Sequence, residues 1–392
     1  MLPLEHITVV ALEQAVAAPF ATRQLADLGA RVIKVERPGG GDFARRYDET
    51  VLGLSSHFVW VNRSKESLTL DLKHEAAREV MRRLLSTADV FVQNLAPGAT
   101  ARLGLDAATL RAAHPRLIVC DISGYGATGP YRDKKAYDLL AQCETGLVSV
   151  TGSPEAPAKV GISVADIAAA MYAYSGILTA LYQRERTGSG TALEVSLFDA
   201  LGEWMSYPAY FTAYGGTPPP RTGASHATIA PYGPFATGDG QQVNLGVQNE
   251  REWVAFCARV LRRPELAEDP RFATNTARVA HRPELHDEIH AIFANLTTAD
   301  LVERLDQAGI ANARMNTMLD FWSHPQLAAR DRWREVDSPA GPLRMLLPPV
   351  MMENVEPRMD PVPAVGQHTE AILRSLGYSN DDIATFRHDR AI

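Results

Sequence analysis

The amino-acid sequence predicts an α/β fold: a large domain with a Rossmann-like, mainly parallel sheet and a smaller α+β domain. The first observation is that short apolar runs rich in β-branched residues alternate with helix-like segments through the first half of the chain. The second is a change of composition after Tyr214, where GGTPPPRTGAS is too rich in Gly and Pro to continue a helix. Such alternation favours a parallel sheet, with ligand sites beyond the carboxyl ends of its strands.

Each predicted strand of the large domain is a short apolar run, and helical periodicity follows most of them. The strand candidates are ITVVALE, RVIKVE, SLTLDL, DVFVQN, RLIVCDIS and TALEVS. The helix candidates between them include FATRQLADLGA, HEAAREVMRRLLSTAD and DAATLRAAH. These elements predict a large domain whose N-terminal part covers residues 1–215.

The smaller domain is predicted over residues 226–320. It contains the strand-like stretch PYGPFATGDGQQVNLGV and helical patterns in EWVAFCARVL, HRPELHDEIHAIFANL and TADLVERLDQAGI. Residues 325–392 predict a hairpin around PAGPLRMLLP and a final helix that begins near His368.

Composition and charge limit the classes of function. The chain has 392 residues, 46% of them hydrophobic and 22% charged, which is typical of a globular protein with room for two domains. Its net charge of −7 argues against a broad nucleic-acid surface. Cys120, Cys143 and Cys257 form no CxxC pair, so we expect reduced thiols, without a zinc site or a disulfide framework.

Targeting and membrane segments are not expected. MLPLEHITVV lacks the basic region and long apolar core of a secretory signal. We see no run that approaches the ~18 apolar residues of a membrane span. The sequence therefore predicts a cytoplasmic protein without a membrane partner.

One segment, residues 159–190, places a single carboxylate where an apolar stretch gives way to a helix. This residue is Asp166, and on residue type alone its simplest role is to cap the helix, because Asp is a preferred N-cap and favours the positive end of the dipole. Two stripes at helical spacing follow and predict two packing faces. The stripe of large residues, which is predicted to face the core, comprises Ile167, Met171, Tyr174, Leu178 and Leu181, and the stripe of small residues comprises Ala169, Ala173, Gly176 and Ala180.

Three consecutive glycines, Gly39, Gly40 and Gly41, follow the second predicted strand. No GxGxxG follows the first strand, and a GxxxxGKS/T motif is absent. The sequence therefore supports neither a dinucleotide fingerprint nor a P-loop, and we interpret the glycines as a flexible turn.

Distinctive blocks of sequence run almost from one end of the chain to the other. Besides residues 159–190 they are AAPFATRQLADLGARVIKVERPGGGD, NRSKESLTLDLK, VQNLAPG, RLGLD, HPRLIVCDISGYG, GPYRDKKAYDLLAQ, TGLVSVTGSP and VGQHTEAILRSLGYS. In this order and spacing the chain resembles the family III CoA-transferases, a group that also contains the α-methylacyl-CoA racemases. The resemblance implies that Asp166 is a catalytic nucleophile, that CoA and acyl-CoA are substrates, and that no cofactor is permanently bound. It also implies that the C-terminal tail returns to the large domain and that two ring-like subunits interlock as a homodimer.

The resemblance further assigns CoA contacts to eight positions. The arginines and lysines among these positions suit the phosphates of CoA, although on residue type alone each would be a solvated surface charge. The side chains of Leu70 and Leu95 would serve equally well in a hydrophobic core. Val16 stands where formyl-CoA transferases carry a functional glutamine, and this departure counts against an oxalate-type activity. The eight positions are Val16, Arg37, Leu70, Lys73, Asn94, Leu95, Arg102 and Lys135.

The substrate class is suggested by a second set of blocks. HATIAPYGPF, NLGVQNEREW, DPRFATN and AGIANARMNT resemble the subgroup that acts on short dicarboxylates, which include mesaconate, succinate, malate and itaconate. A remote carboxylate needs a cation or several donors, and His226, with Arg251 behind it, is a candidate. A hydrogen-bonded loop histidine is the alternative. Gln14, after the first strand, is a candidate to face the thioester.

Two other functions remain open on the sequence. An α-methylacyl-CoA racemase would use a His and an Asp as opposed bases, but the position of that His is Tyr137 here, a poor base at neutral pH, with Asp138 and Asp166 still present. A noncatalytic CoA-binding protein is the second alternative. The retention of Asp166 together with Arg37, Arg102 and Lys135 argues against it.

Overall fold

The computed structural model describes all 392 residues, which form eleven strands and eighteen α-helices. The strands are β1 (Thr8–Leu12), β2 (Arg31–Glu36), β3 (Lys65–Thr69), β4 (Val90–Gln93), β5 (Ile118–Ser123), β6 (Ala192–Ser196), β7 (Tyr232–Ala236), β8 (Gln242–Gly246), β9 (Ala311–Arg314), β10 (Trp333–Val336) and β11 (Leu343–Leu346).

The helices follow in chain order, with two short 3-10 segments at Phe43–Arg46 and Pro264–Ala267 and a π-helical segment at Phe256–Leu261. They are α1 (Ala17–Asp27), α2 (Ser56–Val61), α3 (Glu75–Leu85), α4 (Ala99–Arg102), α5 (Ala107–Ala113), α6 (Asp138–Glu144), α7 (Leu147–Val150), α8 (Val164–Thr187), α9 (Leu197–Trp204), α10 (Ser206–Gly215), α11 (Glu250–Ala255), α12 (Asn275–Ala280), α13 (Arg282–Phe293), α14 (Thr298–Ala308), α15 (Met318–Trp322), α16 (Pro325–Ala329), α17 (Thr369–Ser375) and α18 (Asn380–His388).

The chain divides into two compact units. The first comprises Met1–Thr145, Val160–Met205 and Leu327–Ile392, and the second comprises Gly146–Lys159 and Ser206–Gln326. Residues 146–159 and 206–215 thus belong to the second unit, whereas the sequence prediction placed them in the large domain. For residues 146–159 the physical reason is the Arg221 guanidinium, which donates hydrogen bonds to three carbonyl oxygens between residues 149 and 154 and ties them to the rest of the second unit.

The first unit is built on a six-stranded parallel sheet of order β3-β2-β1-β4-β5-β6. The predicted α/β class and parallel sheet are confirmed. Val10 lies opposite Ile33 on one side and Phe91 on the other, and all three side chains are fully buried. Because helices cover both faces of such a sheet, β1 and β4 are near-continuous apolar runs, whereas β2 and β3 carry the buried lysines Lys34 and Lys65.

The C-terminal helices contribute to the core of the first unit. Ile372 and Leu373 from α17 and Ile383 from α18 join the apolar cluster that contains Val10 and Ile33. The predicted hairpin of the tail is confirmed, since β10 and β11 pair antiparallel.

The packing of α8 differs from the sequence prediction. The small residues are its buried face, with Ala169 and Ala173 fully buried, while Met171 from the stripe of large residues is exposed. Of that stripe only Leu181 is buried. The reason is the close packing of α8 against α1 within the first unit, because only small side chains let two helix backbones approach closely.

Helix α8 also corrects the expectation about apolar runs. By length and composition alone, Val164–Thr187 is long and apolar enough to cross a membrane, and 44% of its most apolar window is buried. A core helix of a globular protein meets the same criterion, and α8 packs against α1, α9 and β5. Its apolar composition is therefore accounted for by packing.

The second unit contains the three-stranded antiparallel sheet β7-β8-β9 and helices α11–α14. Its core is rich in aromatic side chains, among them Trp253, Phe256 and Phe293. Arg278 is 1% exposed, and its guanidinium donates to Glu250 Oε2 at 2.8 Å and to the Ala230 carbonyl at 2.7 Å. This arginine joins the sheet side of the unit to its helices.

Gly190, just before β6, lies against the backbone of Leu117, just before β5, and a substitution at Gly190 tests the fold. A Cβ atom at this buried position would overlap the carbonyl oxygen of Leu117. We expect Gly190→Ala to lower the free energy of unfolding by about 1–3 kcal/mol, measured by chemical denaturation. Gly202→Ala in α9 is the matched control, since nothing lies within 4 Å of the added Cβ. Equal stability of the two variants would contradict the register assigned to β6.

Candidate active site

A cavity of about 1020 Å³ opens in the first unit beyond the carboxyl ends of the strands. Its walls come from the loops after β1, β4 and β5 and from the first turn of α8. In a sheet of this order, β1 and β4 flank the point where the strand order reverses, and the loops after them leave a crevice. The site lies where the predicted α/β fold places ligands.

A smaller cavity of about 300 Å³ lies beside the large one. The two share Gln14, Arg37 and Leu95 in their walls. All eight predicted CoA-contact residues line at least one cavity. The large cavity has Val16, Arg37, Asn94, Leu95 and Lys135, and the small cavity has Arg37, Leu70, Lys73, Leu95 and Arg102.

Asp166 lines the large cavity and is half-buried. It is the third residue of α8 and makes no capping hydrogen bond, so capping, its simplest role on residue type, is wrong. The carboxylate oxygens of Asp166 are therefore not engaged by the amides of its own helix.

Asp138, the first residue of α6, takes over that capping role. Its Oδ1 accepts hydrogen bonds from the Ala165 amide at 2.8 Å and from the Asp166 amide at 3.4 Å. Its Oδ2 accepts from Gln142 Nε2 at 2.7 Å, and Gln142 Oε1 accepts from the Val160 amide at 3.1 Å. This chain of contacts fixes the start of α8 and hence the position of Asp166.

The environment of Asp166 favours its protonated form. Burial raises the pKa of its carboxyl group, and the negative charge of Asp138 raises it further, to about 7. A group that titrates near neutrality and lines a cleft is a candidate functional residue.

Tyr47 is a neighbour of Asp166 that sequence reasoning missed. Burial raises the pKa of its phenol to about 12, and the charges of Asp42 and Asp166 contribute to the shift. The hydroxyl therefore stays protonated at neutral pH and can donate a hydrogen bond in the large cavity, which Tyr47 lines. His57 lines the same wall, with its ring edge-on to Tyr47 at 5.4 Å. Both residues lie in irregular or very short helical segments, so no periodic pattern marks them.

Further cations surround Lys135, which is exposed in the loop between β5 and α6. Arg132 and Lys134 also line the large cavity, and the Lys134 ammonium lies 4.1 Å from the ring centroid of Tyr131 while it pairs with Glu144. The run RDKK at residues 132–135 marks all three cations in the sequence, although the family resemblance indicates only Lys135. Tyr137, from the same loop, lines the cavity and is 66% exposed.

Asn94 lines the large cavity and also makes structural hydrogen bonds. Its Oδ1 accepts from the Gln14 amide and its Nδ2 donates to the Gln14 carbonyl, both at 2.8 Å. The side chain thereby holds the backbone of the loop after β1. Gln14 itself lines both cavities, as its predicted role requires.

His226 lies in the second unit. Its Nδ1 accepts from the Thr228 amide at 3.2 Å, and its ring stacks on Tyr232 at 5.2 Å. Burial lowers its pKa, and the charge of Arg282 lowers it further, so the imidazole is neutral at pH 7. The arginine that contacts this residue is Arg282, which donates to the His226 carbonyl at 2.9 Å, rather than the predicted Arg251. These contacts match the hydrogen-bonded loop histidine that the sequence left open.

The two buried cysteines, Cys120 and Cys257, offer no activated nucleophile. Cys120 is fully buried in β5, and burial raises the pKa of its thiol to about 12. The Cys257 thiol is shifted in the same direction by burial, also to about 12. Of the nucleophiles weighed from the sequence, the carboxylate of Asp166 is the one that lines the cavity.

Comparisons with known proteins agree with this geometry. The sequence model of CoA-transferase family III matches residues 4–369. The succinyl-CoA:glutarate CoA-transferase of Mus musculus is 34% identical over 380 residues, covering 96% of this chain and 87% of the relative. The succinyl-CoA–D-citramalate CoA-transferase of Chloroflexus aurantiacus is 34% identical, covering 100% and 98%. The crystal structure of a CAIB/BAIF family protein from Brucella suis matches with a TM-score of 0.83 at 34% identity, covering 96% of this chain and 99% of that one.

The chain therefore belongs to CoA-transferase family III, and the resemblance found in its sequence blocks is confirmed. It is a CoA-transferase whose substrates include CoA thioesters.

The raised pKa of Asp166 generates a pH prediction. If the ionised carboxylate is the nucleophile, kcat/KM should fall about tenfold per pH unit below pH 7, because protonation removes the attacking lone pair. Asp138→Asn should move the inflection of the pH–rate profile to lower pH, since it removes one of the two causes of the shift. Asp389→Asn, an exposed change in the tail, should leave the profile of the wild type. A flat profile between pH 5 and 8 would show that Asp166 does not titrate in the free enzyme.

Proposed function

We propose that this CoA-transferase moves CoA between short dicarboxylic acids such as mesaconate, succinate, malate or itaconate, with Asp166 as the nucleophile. The observation that carries the proposal is the position of Asp166 on the wall of the large cavity, with its own oxygens free of capping bonds. The names of the relatives from Mus musculus and Chloroflexus aurantiacus support the substrate class, because succinate, glutarate and citramalate are short dicarboxylates.

The proposed reaction begins when a carboxylate oxygen of Asp166 attacks the thioester carbonyl carbon of the donor. The carbon–sulfur bond breaks, CoA leaves as its thiolate, and a mixed anhydride joins the donor acyl group to Asp166. The thiolate then attacks the carbonyl carbon of Asp166, which releases the donor acid and leaves an aspartyl-CoA thioester.

The second half of the proposed reaction reverses these steps with a new acid. The carboxylate of the acceptor attacks the aspartyl-CoA carbonyl and expels the CoA thiolate, giving a second mixed anhydride. The thiolate attacks the acceptor acyl carbon, and Asp166 is regenerated as a carboxylate. One thioester is exchanged for another, so the cycle needs neither an oxidant nor a nucleoside triphosphate.

The cavities suggest how the CoA ester is bound. Asp166 lines the large cavity only, whereas Lys73 and Arg102 line the small one, and Arg37 lines both. Cations suit the phosphates of the nucleotide, and an Arg can bind one phosphate through two hydrogen bonds. We therefore assign the nucleotide part of CoA to the small cavity and the thioester to the large one.

The remote carboxylate of a dicarboxylic acid needs a cation or several hydrogen-bond donors. Arg132, Lys135 and His57 line the large cavity and can supply them. His226 is a poorer partner, because its lowered pKa leaves it uncharged. We therefore assign the remote carboxylate to Arg132, Lys135 and His57 rather than to His226.

We also propose that the protein is a homodimer and that it is located in the cytoplasm. Large aromatic side chains on three consecutive helices are exposed, and they include Tyr182, Trp204 and Tyr214. A second copy of the chain would remove such surface from water. Light scattering coupled to size-exclusion chromatography measures the oligomeric state directly.

The nucleophile is tested by trapping the covalent intermediate. Wild-type protein mixed with succinyl-CoA and then hydroxylamine or borohydride should carry a modification that peptide mapping places at Asp166. Asp166→Asn should show no adduct and a rate lower by about 10³-fold or more, because the attacking group is gone. An adduct elsewhere, or retained turnover in Asp166→Asn, would refute the assignment. Exchange of the α-hydrogen of a branched acyl-CoA in deuterated water, without an adduct, would favour a racemase.

The CoA site is tested with a pair of arginine variants. Arg102→Ala should raise KM for acyl-CoA about tenfold with little change in kcat, because an exposed phosphate contact contributes binding rather than chemistry. Arg82→Ala changes an exposed arginine of α3 that lines neither cavity, and it should behave like the wild type. Unchanged KM in Arg102→Ala, measured by steady-state kinetics, would remove this residue from the CoA site.

A further inference from the structure

The turn after β1 forms part of the cavity wall and adopts an unusual backbone conformation. Ala15 has φ of 62°, in the left-handed region that non-glycine residues rarely occupy. Gln14, Ala15 and Val16 all line the large cavity. Such a conformation persists only when surrounding contacts determine it, and these conformations cluster at functional sites.

Two side chains hold this turn from opposite directions. Asn94 brackets Gln14 through the two hydrogen bonds to its amide and carbonyl. Asp42 Oδ1 accepts from the Ala15 amide at 3.1 Å and from the Ala44 amide at 2.9 Å. Asp42 therefore anchors the one residue of the turn whose backbone is strained.

Asp42 is itself fixed by a buried ionic network. The ammonium of Lys34 lies 2.8 Å from Asp42 Oδ2 and 3.4 Å from Glu13 Oε1, and Lys65 Nζ lies 2.7 Å from the same Glu13 oxygen. The side chains of Glu13, Lys34, Asp42 and Lys65 are fully buried in these pairs or nearly so. Each carboxylate of the network thus lies against a lysine, and burial lowers the pKa of Lys65 to about 7.

Stability alone does not account for such a network. Desolvation of buried charges offsets most of their attraction, and well-packed apolar residues often replace a buried ion pair at no cost in stability. The network does direct a carboxylate oxygen at the Ala15 amide, which an apolar core would not do. Its geometry thus has a local consequence at the cavity.

We propose that Asp42 is a positioning residue, whose carboxylate holds the left-handed turn at Ala15 and so presents Gln14 and Val16 to the acyl-CoA in the large cavity. This inference rests on the proposed function, because it takes the large cavity as the substrate site. Without the anchor, the turn relaxes toward the right-handed or extended conformations that alanine prefers. Gln14 and Val16 then leave their positions, while the sheet beneath them stays intact.

The test uses a second-site change that lowers the cost of the left-handed conformation. Asp42→Asn should lower kcat/KM for transfer from succinyl-CoA about tenfold or more, since the side-chain donor Nδ2 must now face another donor, either the Lys34 ammonium or the two backbone amides. Ala15→Gly in the Asp42→Asn background should restore about fivefold, because glycine adopts positive φ without steric cost. Leu52→Gly is the matched control, since Leu52 also has positive φ, at 52°, yet is 66% exposed and lines neither cavity.

The outcomes separate positioning from general stabilisation. Recovery with Ala15→Gly but not with Leu52→Gly supports the proposal, whereas equal recovery, or none in a folded Asp42→Asn protein, overturns it. If Asp42→Asn does not fold, Ala15→Val decides in its place, because it raises the cost of the turn without touching the ionic network. A loss of about tenfold in kcat/KM at an unchanged melting temperature supports the proposal, and wild-type kinetics overturn it.

The experiment also distinguishes this inference from the proposed function. If the wild type transfers CoA from succinyl-CoA to no dicarboxylate, the proposed function fails. The positioning role is then measured by calorimetry as the dissociation constant for free CoA. We expect Asp42→Asn to bind free CoA more weakly than the wild type. Ala15→Gly in that background should restore the affinity, and Leu52→Gly should not. Any other order of dissociation constants overturns the role of Asp42.

Discussion

Parallel pairing of β1 with both β2 and β4 is the constraint on which the site depends. Val10 is hydrogen-bonded between the strands of Ile33 and Phe91, so the chain must leave β1 toward one side of the sheet and return to β4 on the other. The loops after these two strands consequently separate and leave a crevice. Asn94, after β4, bridges to the backbone of Gln14, after β1, and so fixes the floor of that crevice.

The carboxylate that we propose as the nucleophile has conflicting requirements, and two aspartates divide them. A helix start favours a negative group, but the oxygens of a carboxylate that caps its own helix accept hydrogen bonds from the backbone amides and are not available to attack a substrate. Here Asp138 accepts from the Ala165 amide, and Asp166 makes no cap. As a result, the negative charge of Asp138 lies near Asp166 and adds to the effect of burial, and the two together raise the pKa of Asp166 to about 7. Because that value is close to neutrality, a large share of the protein still carries the ionised form.

Much of the fold could be predicted because its signals are local. Strands β1, β2, β4 and β5 are rich in β-branched residues, and the order of the strands along the chain is enough to place Arg37 and Lys135 near a common edge. The buried face of α8 could not be predicted, since a stripe of alanines and a stripe of large residues have the same period. Which of them faces inward depends on how closely α1 approaches.

The missed parts of the site depend on contacts that are distant in sequence. Tyr47 and His57 lie in segments without periodicity, and only the folded chain brings Tyr47 near Asp166. The arginine beside His226 is 56 residues away along the chain, so the nearer Arg251 was chosen instead. The attachment of residues 149–154 to the second unit has the same origin, because Arg221 contacts carbonyls almost seventy residues earlier.

The close approach of α1 and α8 has a consequence for the proposed acyl transfer. Val16 and Ala17 at the start of α1 and Asp166 in the first turn of α8 line the same cavity, so the positive ends of two helix dipoles meet there. Each proposed acyl transfer passes through a tetrahedral oxyanion, and oriented amides can stabilise such a charge by about 3–4 kcal/mol per donor. The first-turn amides of a helix have no partner within the helix. At α8 two of them, those of Ala165 and Asp166, donate to Asp138, so the start of α1, where Ala17 lines the cavity, is the better source of such donors. The small residues of α8 thus do more than fill the core, because they let α1 pack closely beside the helix that carries Asp166.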